Sequence, residues 1–313
     1  MHSGGEPLRI VEEGYPDISG ETILDKRRFA KENLDHLRKF LVFEPRGHCD
    51  MYGALIVRYD LTDADLAVLF IHNEGYSTMC GHAVMCLGRY AVDRGMVKNK
   101  STNEKGEVPV NIQCPCGMVR AFVEYNSDTE KSGRVRFHSV PAFAFATGLF
   151  YALVPAQCFG LDVRKSKTSE LVEVATAVSE AVREQVKLHH PISTDFEFLY
   201  GTILTDGADA FSEQPTANTC VFADREVDRS PTGSGVTARV ATQYAKGLIG
   251  QGQSRVFESG ANGSRFTGMV AKETKCGDFK AVVVEVSGMG FYSGKAEFTA
   301  EEDDDLKSGF LLR

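Results

Sequence analysis

The chain has 313 residues, 42% of them hydrophobic and 25% charged, which is the balance of an ordinary water-exposed globular protein with room for two modest domains. A formal net charge of −8 and the absence of a basic stripe argue against nucleic acid as a partner. No run of about 18 apolar residues is present to span a bilayer, and no charged-then-apolar leader opens the chain, so the cytoplasm is the expected compartment. The eight cysteines are scattered at 49, 80, 86, 114, 116, 158, 220 and 276, a spacing that favours reduced thiols over a disulfide framework. Cys114-Pro115-Cys116 lacks the second pair that a zinc site needs, and it reads as two half-buried thiols near a turn.

In chain order, His2 to Pro7 is rich in turn formers, and Leu8 to Val11 continues as a short strand. Residues 21–41 carry Ile23, Leu24, Leu34, Leu37 and Leu41 among many charges, the pattern of one helix with a solvated face. Pro45-Arg46-Gly47 breaks it. Ala54–Val57 and Ala67–Ile71 are strands that lead to a polar turn and then to a helix over His82–Asp93, closed by Gly95. Three alternating strands follow, at Val108–Ile112, Met118–Tyr125 and Arg134–Val140. Ser166–His190 is the longest helical pattern, with Leu171, Val174, Val178, Val182 and Val186 in one stripe and Pro191 as its stop. His189-His190 would be a polar end to that helix, where positive charge is favourable. Strands resume at Phe198–Leu204 and Thr219–Phe222, then a helix at Thr237–Lys246, then strands at Phe279–Val286 and Phe291–Phe298. The acidic run Glu301–Asp305 reads as a solvated turn.

Two stretches carry chemistry. In Tyr76-Ser77-Thr78-Met79-Cys80-Gly81-His82 a cysteine stands where a turn becomes a helix. Free N–H groups and partial positive charge at a helix start favour an anion there, so a thiol is more easily ionised than a free one. Downstream, Asp228-Arg229-Ser230-Pro231-Thr232-Gly233-Ser234-Gly235 repeats the layout: Cys80-Gly81-His82 aligns with Thr232-Gly233-Ser234, and Gly95 aligns with Gly247. Each feature also has a plain reading. A cysteine before a helix is more often structural, Gly-Ser-Gly without a following lysine is a weak phosphate signal, and Asp228 serves equally as a turn residue.

Together with His2-Ser3-Gly4-Gly5-Glu6-Pro7 and the stretch Pro45 to Gly53, the two motifs resemble the proline racemase family, in the right order along nearly the whole chain. The resemblance implies an α+β fold of two similar domains, each a curled, mostly antiparallel sheet around a central helix (diaminopimelate epimerase-like), with the active site between them. It divides the chain into 1–140 plus 296–313, carrying the Cys80 motif, and 141–295, carrying the Thr232 motif. It further implies a small imino acid as substrate and a homodimer. No cofactor or metal is expected, because the chain has no Rossmann glycine fingerprint after a strand, no H-E-x-x-H helix and no lysine context for pyridoxal phosphate. By the same resemblance His2 would line the site, against its plainer reading as a solvated histidine near a terminus.

Racemases of the family carry a cysteine in both motifs, and here the second position is Thr232. A threonine hydroxyl does not ionise usefully, so the pattern points to the eliminating branch of the family. Cys80 would take the α-proton of trans-3-hydroxy-L-proline as thiolate, and water would leave to give Δ1-pyrroline-2-carboxylate. Backbone N–H groups near Gly81-His82 and Gly233-Ser234 would cradle the carboxylate, with Asp228 facing the ring nitrogen. Thr232, His82 or a bound water remain equal candidates to protonate the departing hydroxyl. The rivals are a proline racemase or 4-hydroxyproline epimerase, and an inactive relative. The last arises because the resemblance places a strand before His2 and another after Val140–Phe143, where Ala144–Tyr151 moves on almost at once.

Overall fold

The computed structural model describes residues 1–143, 150–190 and 197–312. They fall into two compact units, one of Met1–Val135 with Met289–Arg313, the other of Arg136–Gly288.

The first unit opens with a tight hairpin, β1 (His2–Ser3) and β2 (Glu6–Pro7), turned through Gly4 and Gly5 at positive φ, and continues as β3 (Arg9–Val11). The expected single helix over 21–41 is two. α1 (Ile23–Asn33) begins at a capping box, where Asp25 N–H donates to Thr22 Oγ1 and Thr22 N–H donates back to Asp25. At Leu34 the backbone leaves helical geometry (φ −124°, ψ 14°), and α2 (Asp35–Val42) starts afresh. The break lets each piece turn its own apolar residues inward: Ile23 and Ala30 from α1, Leu41 and Val42 from α2. These pack on Met51, Leu55, Leu69 and Ile71, and Phe298 from the returning C-terminal segment covers the same cluster.

β4 (Tyr52–Val57) and β5 (Leu66–His72) pair antiparallel, and β6 (Gly75–Ser77) hooks back onto β5. β5 is buried along its whole length, which is why its sequence is an unbroken apolar run rather than an alternating one. α3 (Gly81–Asp93) follows, then β7 (Glu107–Cys114), β8 (Gly117–Asn126) and β9 (Lys131–His138). α3 lies on β8 with Gly88 facing Val135, Val123 and Ala121, so the helix comes close to the sheet where it carries no side chain. Cys114-Pro115-Cys116 forms the β7–β8 turn, Cys114 buried and Cys116 half-buried.

The second unit holds several strands that sequence reading passed over. β10 (Phe150–Pro155) runs parallel to β11 (Leu199–Thr205), with α4 (Thr168–Gln185) between them in the chain. α4 stops at Gln185, short of the expected His190, so His189-His190 is not its end. The residues it buries are Leu171, Val172, Ala175 and Ser179, while Val186, expected on the stripe, is exposed. The helix ends where its contact with the sheet ends. Pro191, its expected stop, and Ala144–Leu149 of the shortened stretch lie outside the described residues.

β12 (Thr216–Phe222) pairs antiparallel with β11 and with β13 (Glu226–Asp228), which delivers the chain to the second motif. α5 (Gly233–Ala245) begins at Gly233, ahead of the expected Thr237. β14 (Arg255–Ser259), β15 (Arg265–Cys276) and β16 (Phe279–Gly288) complete the sheet. The chain then returns to the first unit through β17 (Gly290–Phe291), paired with β1. The expected strand over 291–298 is only this short, because Tyr292 to Glu297 are exposed and Gly294 sits at φ +156°.

α3 and α5 are the echo in the sequence seen as structure. Both run 13 residues, and both end in the same hydrogen-bonded closure. Gly95 N–H bonds Val92 and Met96 N–H bonds Ala91, as Gly247 N–H bonds Tyr244 and Leu248 N–H bonds Gln243. Each terminal glycine has φ near +70° (65° and 70°), where a Cβ would be strained.

α5 sits on β15 over Gly268, where an added Cβ would stand 2.6 Å from Val236 Cγ1 and 2.9 Å from Val240 Cγ2. Gly268→Ala is therefore expected to destabilise the second unit by about 1–3 kcal/mol through overpacking. The check is chemical denaturation, and an unchanged midpoint would mean that α5 can lift off the sheet without loss.

Candidate active site

The first motif is built where β6 gives way to α3. Cys80 is the residue preceding the helix, in extended geometry (φ −150°, ψ 113°), and its side chain makes no capping bond to the helix. Its sulfur is thus not spent on closing the helix end. His82 Nδ1 lies 3.2 Å from Cys80 Sγ and Nε2 lies 3.7 Å away, so the imidazole lies beside the thiol. Burial pushes the His82 ring down to about 3, against a hydrogen bond to the Pro7 backbone that pulls the other way. Since proline has no N–H, the ring donates to the Pro7 carbonyl. The ring of Tyr52 meets His82 edge-on at 4.9 Å and completes its enclosure. Neutral His82 carries no charge to hold a thiolate, so the field favouring an anion at Cys80 comes from the α3 start.

The other thiols near this motif are of a different kind. Cys86, one turn into α3, is fully enclosed, and burial pushes it to about 12. Cys114 is likewise raised well above the ordinary thiol by burial, with Cys116 and Cys80 adding to the effect. A protonated, enclosed thiol is inert. Thr78 was not singled out in the sequence. Its carbonyl accepts from Cys116 N–H at 3.1 Å, and its hydroxyl is buried without a partner. His2 stacks on Phe291 at 5.4 Å between ring centres and accepts from Gly5 N–H, so its ring has a structural task.

The second motif starts from β13. Asp228 is buried, and burial pushes its carboxyl up to about 6, offset in part by Ser230, Thr232 and Arg229. Ser230 N–H donates to Asp228 Oδ1 at 2.7 Å, and Thr232 N–H donates to Ser230 Oγ at 3.0 Å. Thr232 precedes α5 as Cys80 precedes α3, but at φ +65°, ψ 102°. A β-branched residue seldom takes positive φ. Its hydroxyl is buried near the Asp228 carboxylate, which it helps to keep ionised, but no acceptor sits in good hydrogen-bond geometry. Ser234, in the first turn of α5, is held by Tyr151 through a 2.7 Å hydroxyl–hydroxyl bond. Tyr151 is a further residue that the sequence did not single out. Its strand, β10, lacks a clear alternating pattern.

Cys80, Gly81 and His82 thus share the α3 start, and Asp228, Thr232, Gly233 and Ser234 share the α5 start. Each start offers backbone N–H groups that have no partner inside the helix. Among the described residues no three His, Cys, Asp or Glu side chains converge in a way that would hold a metal ion. No helix among them is long and apolar enough to cross a membrane.

Comparison with known proteins identifies the frame. The family model described as proline racemase matches residues 1–149 and 144–311, two stretches that meet at the segment read as shortened. The chain is 59% identical to trans-L-3-hydroxyproline dehydratase of Xenopus tropicalis and 56% identical to the human trans-3-hydroxy-L-proline dehydratase. Both alignments cover 100% of this chain, and 94% and 93% of those proteins. They run over 332 positions against the chain's 313 residues. A dehydratase of the same name from Burkholderia cenocepacia is 41% identical, again over 100% of the chain and 97% of the relative. Among solved structures, a hydroxyproline epimerase from Agrobacterium vitis with bound trans-4-hydroxy-L-proline superposes with a TM-score of 0.88 at 25% identity, covering 99% of this chain and 93% of that one. A probable proline racemase from Agrobacterium radiobacter, with bound carbonate, gives the same TM-score and identity, covering 99% and 95%.

Proposed function

The chain belongs to the proline racemase family, and from that premise we propose that it is a hydro-lyase that removes water from trans-3-hydroxy-L-proline, with Cys80 as the base. The observation that carries the choice within the family is Thr232, an alcohol where a second thiol would be needed for inversion, at the start of α5. The names of the relatives at 59% and 56% identity agree with elimination rather than with racemisation.

In this reading Cys80 acts as thiolate and takes the α-proton. The C–H electron pair becomes the Cα=Cβ bond, the Cβ–O bond breaks, and the hydroxyl leaves as water on a proton drawn from solvent, which the α-proton released by Cys80 replaces. The enamine then tautomerises to Δ1-pyrroline-2-carboxylate, and no external oxidant or electron carrier is called for. N–H groups of Gly81, His82, Gly233 and Ser234 bear the growing charge on the carboxylate. Asp228, ionised, faces the cationic ring nitrogen. Thr232 gives its hydroxyl hydrogen bond to the departing oxygen, a role supported by its place at the start of α5, where its hydroxyl is buried and closes no helix bond. His82 stays neutral beside Cys80, and the proton that the sulfur gains is returned to solvent between turnovers. Cofactor independence, cytoplasmic residence and assembly as a homodimer belong to the same reading.

Incubation in D₂O with trans-3-hydroxy-L-proline, trans-4-hydroxy-L-proline and L-proline in turn, followed by proton NMR, tests the assignment. Loss of the 3-hydroxy substrate to the cyclic imine is the expected result. Inversion of proline or of the 4-hydroxy compound would transfer the chain to the racemising branch, and silence with all three would mark it as an inactive relative.

A further inference from the structure

The peptide bond between Pro231 and Thr232 is gripped at both ends by side chains. Its carbonyl accepts from Asn218 Nδ2 at 3.1 Å, and its N–H donates to Ser230 Oγ at 3.0 Å. The φ angle of Thr232 is the rotation between this peptide plane and the Thr232 Cα. With the plane fixed on one side and α5 fixed on the other by Val236 N–H bonding the Thr232 carbonyl at 2.7 Å, the angle has nowhere to relax. That is how a β-branched residue is held at φ +65°. Cys80, its counterpart in the first motif, has φ −150° and needs no such grip.

Asn218 is itself oriented. Arg239 Nη1 donates to Asn218 Oδ1 at 3.2 Å and to the Ala217 carbonyl at 3.2 Å, and Arg239 Nη2 donates to Thr216 Oγ1 at 2.7 Å. A guanidinium is donor only, so Oδ1 must face it and the amide NH₂ must face Pro231. Thr216, Asn218 and Arg239 are all essentially without solvent exposure. Arg239 lies on α5, two turns beyond the residue it ultimately steadies, so the helix fixes its own entrance.

We propose that Asn218, set by Arg239, is a positioning residue for the reaction: it locks the Pro231–Thr232 peptide so that the Thr232 hydroxyl meets the departing oxygen. This rests on the reading of Thr232 given above. The substitution that isolates it is Asn218→Asp, which keeps an acceptor for Arg239 and loses the donor to Pro231.

The proposal predicts a split between two steps on one substrate. In D₂O, proton abstraction by Cys80 exchanges deuterium into unreacted trans-3-hydroxy-L-proline, and elimination consumes it. Asn218→Asp is expected to slow water loss at least about tenfold, the low end of what a positioned proton donor supplies, while exchange stays within about threefold. Deuterium would then accumulate in the remaining substrate, as it does not in the parent. In a Thr232→Ala background the same substitution should change the elimination rate less than twofold.

Ser259→Ala is the matched control. It removes a half-buried 2.7 Å bond from Ser259 Oγ to the Arg229 carbonyl of the same loop but leaves the Thr232 peptide clamped, and its exchange-to-elimination ratio should equal the parent's. Should Asn218→Asp fail to fold, Asn218→Ala removes the same donor to the Pro231 carbonyl and must show the same split between exchange and elimination. Equal loss of exchange and elimination, or the same split in Ser259→Ala, overturns the proposal. A parent protein that releases no water from this substrate overturns instead the assignment on which it rests.

Discussion

Cys80→Ser is expected to lower the rate of water loss by about 10²–10⁴-fold, the contribution of a well-placed general base, with little change in melting temperature. The serine hydroxyl fits the same space beside His82, but it does not ionise near neutrality. The start of α3 favours an anion already formed; it does not create one from an alcohol. Deuterium exchange into unreacted substrate should vanish together with product, since both begin with the same proton transfer. Cys86→Ala provides the contrast. Its thiol is enclosed and pushed to about 12, so turnover should stay within a few-fold of the parent. Initial rates by NMR on the two variants settle the point, and a fully active Cys80→Ser protein removes the proposed base.

What could be read in advance follows from where packing is periodic. α3 was legible to within a residue because apolar spacing, a polar turn before it and a glycine after it all agree. α5 was read late, since Gly233-Ser234-Gly235 has poor helix propensity and is helical only because tertiary packing holds it. At Gly235 an added Cβ would meet Ile203 at 2.9 Å, so the residue that hid the helix in the sequence is the one that lets it pack. β15 was missed for a related reason: its inward positions are Phe266, Gly268 and Val270, and the glycine that admits α5 breaks the apolar alternation.

The site divides in the same way. The residue types at the two helix starts were legible from the internal echo, as was the substitution of an alcohol for a thiol. The strain at Thr232 was not. Nothing local in Ser230-Pro231-Thr232-Gly233 dictates positive φ at the threonine. The clamp comes from Asn218 on β12, which is a neighbour only in the folded unit. Tyr151 on Ser234 and the Pro7 backbone on His82 are contacts of the same long-range kind.

Asp228 makes the most distinctive pH prediction. Burial raises its carboxyl to about 6 in the free protein, and only the ionised form can face a cationic ring nitrogen. The value of kcat/KM, which reports the free enzyme, should therefore fall about tenfold per pH unit below pH 6. Bound substrate adds a cation that favours the carboxylate, so the limb in kcat should lie lower. The linkage to stability has a definite sign. The folded pKa exceeds the unfolded value of 3.8, so the native state binds more protons between pH 3.8 and 6, and the contribution of Asp228 to stability declines as pH rises through that window. His82 acts oppositely. Its folded value near 3 lies below 6.5, the unfolded chain binds more protons between them, and stability is lost as pH falls. Asp228→Asn removes the first effect and keeps an oxygen to accept from Ser230 N–H. It should therefore be more stable than the parent at pH 7, by about 1–3 kcal/mol, while kcat/KM drops about a hundredfold or more and loses its limb near pH 6. Denaturant titration at pH 7 and pH 5 with a parallel kcat/KM profile decides it. A variant that is less stable at pH 7, or that keeps the limb near pH 6, would mean that this carboxyl neither carries the charge nor sets the profile.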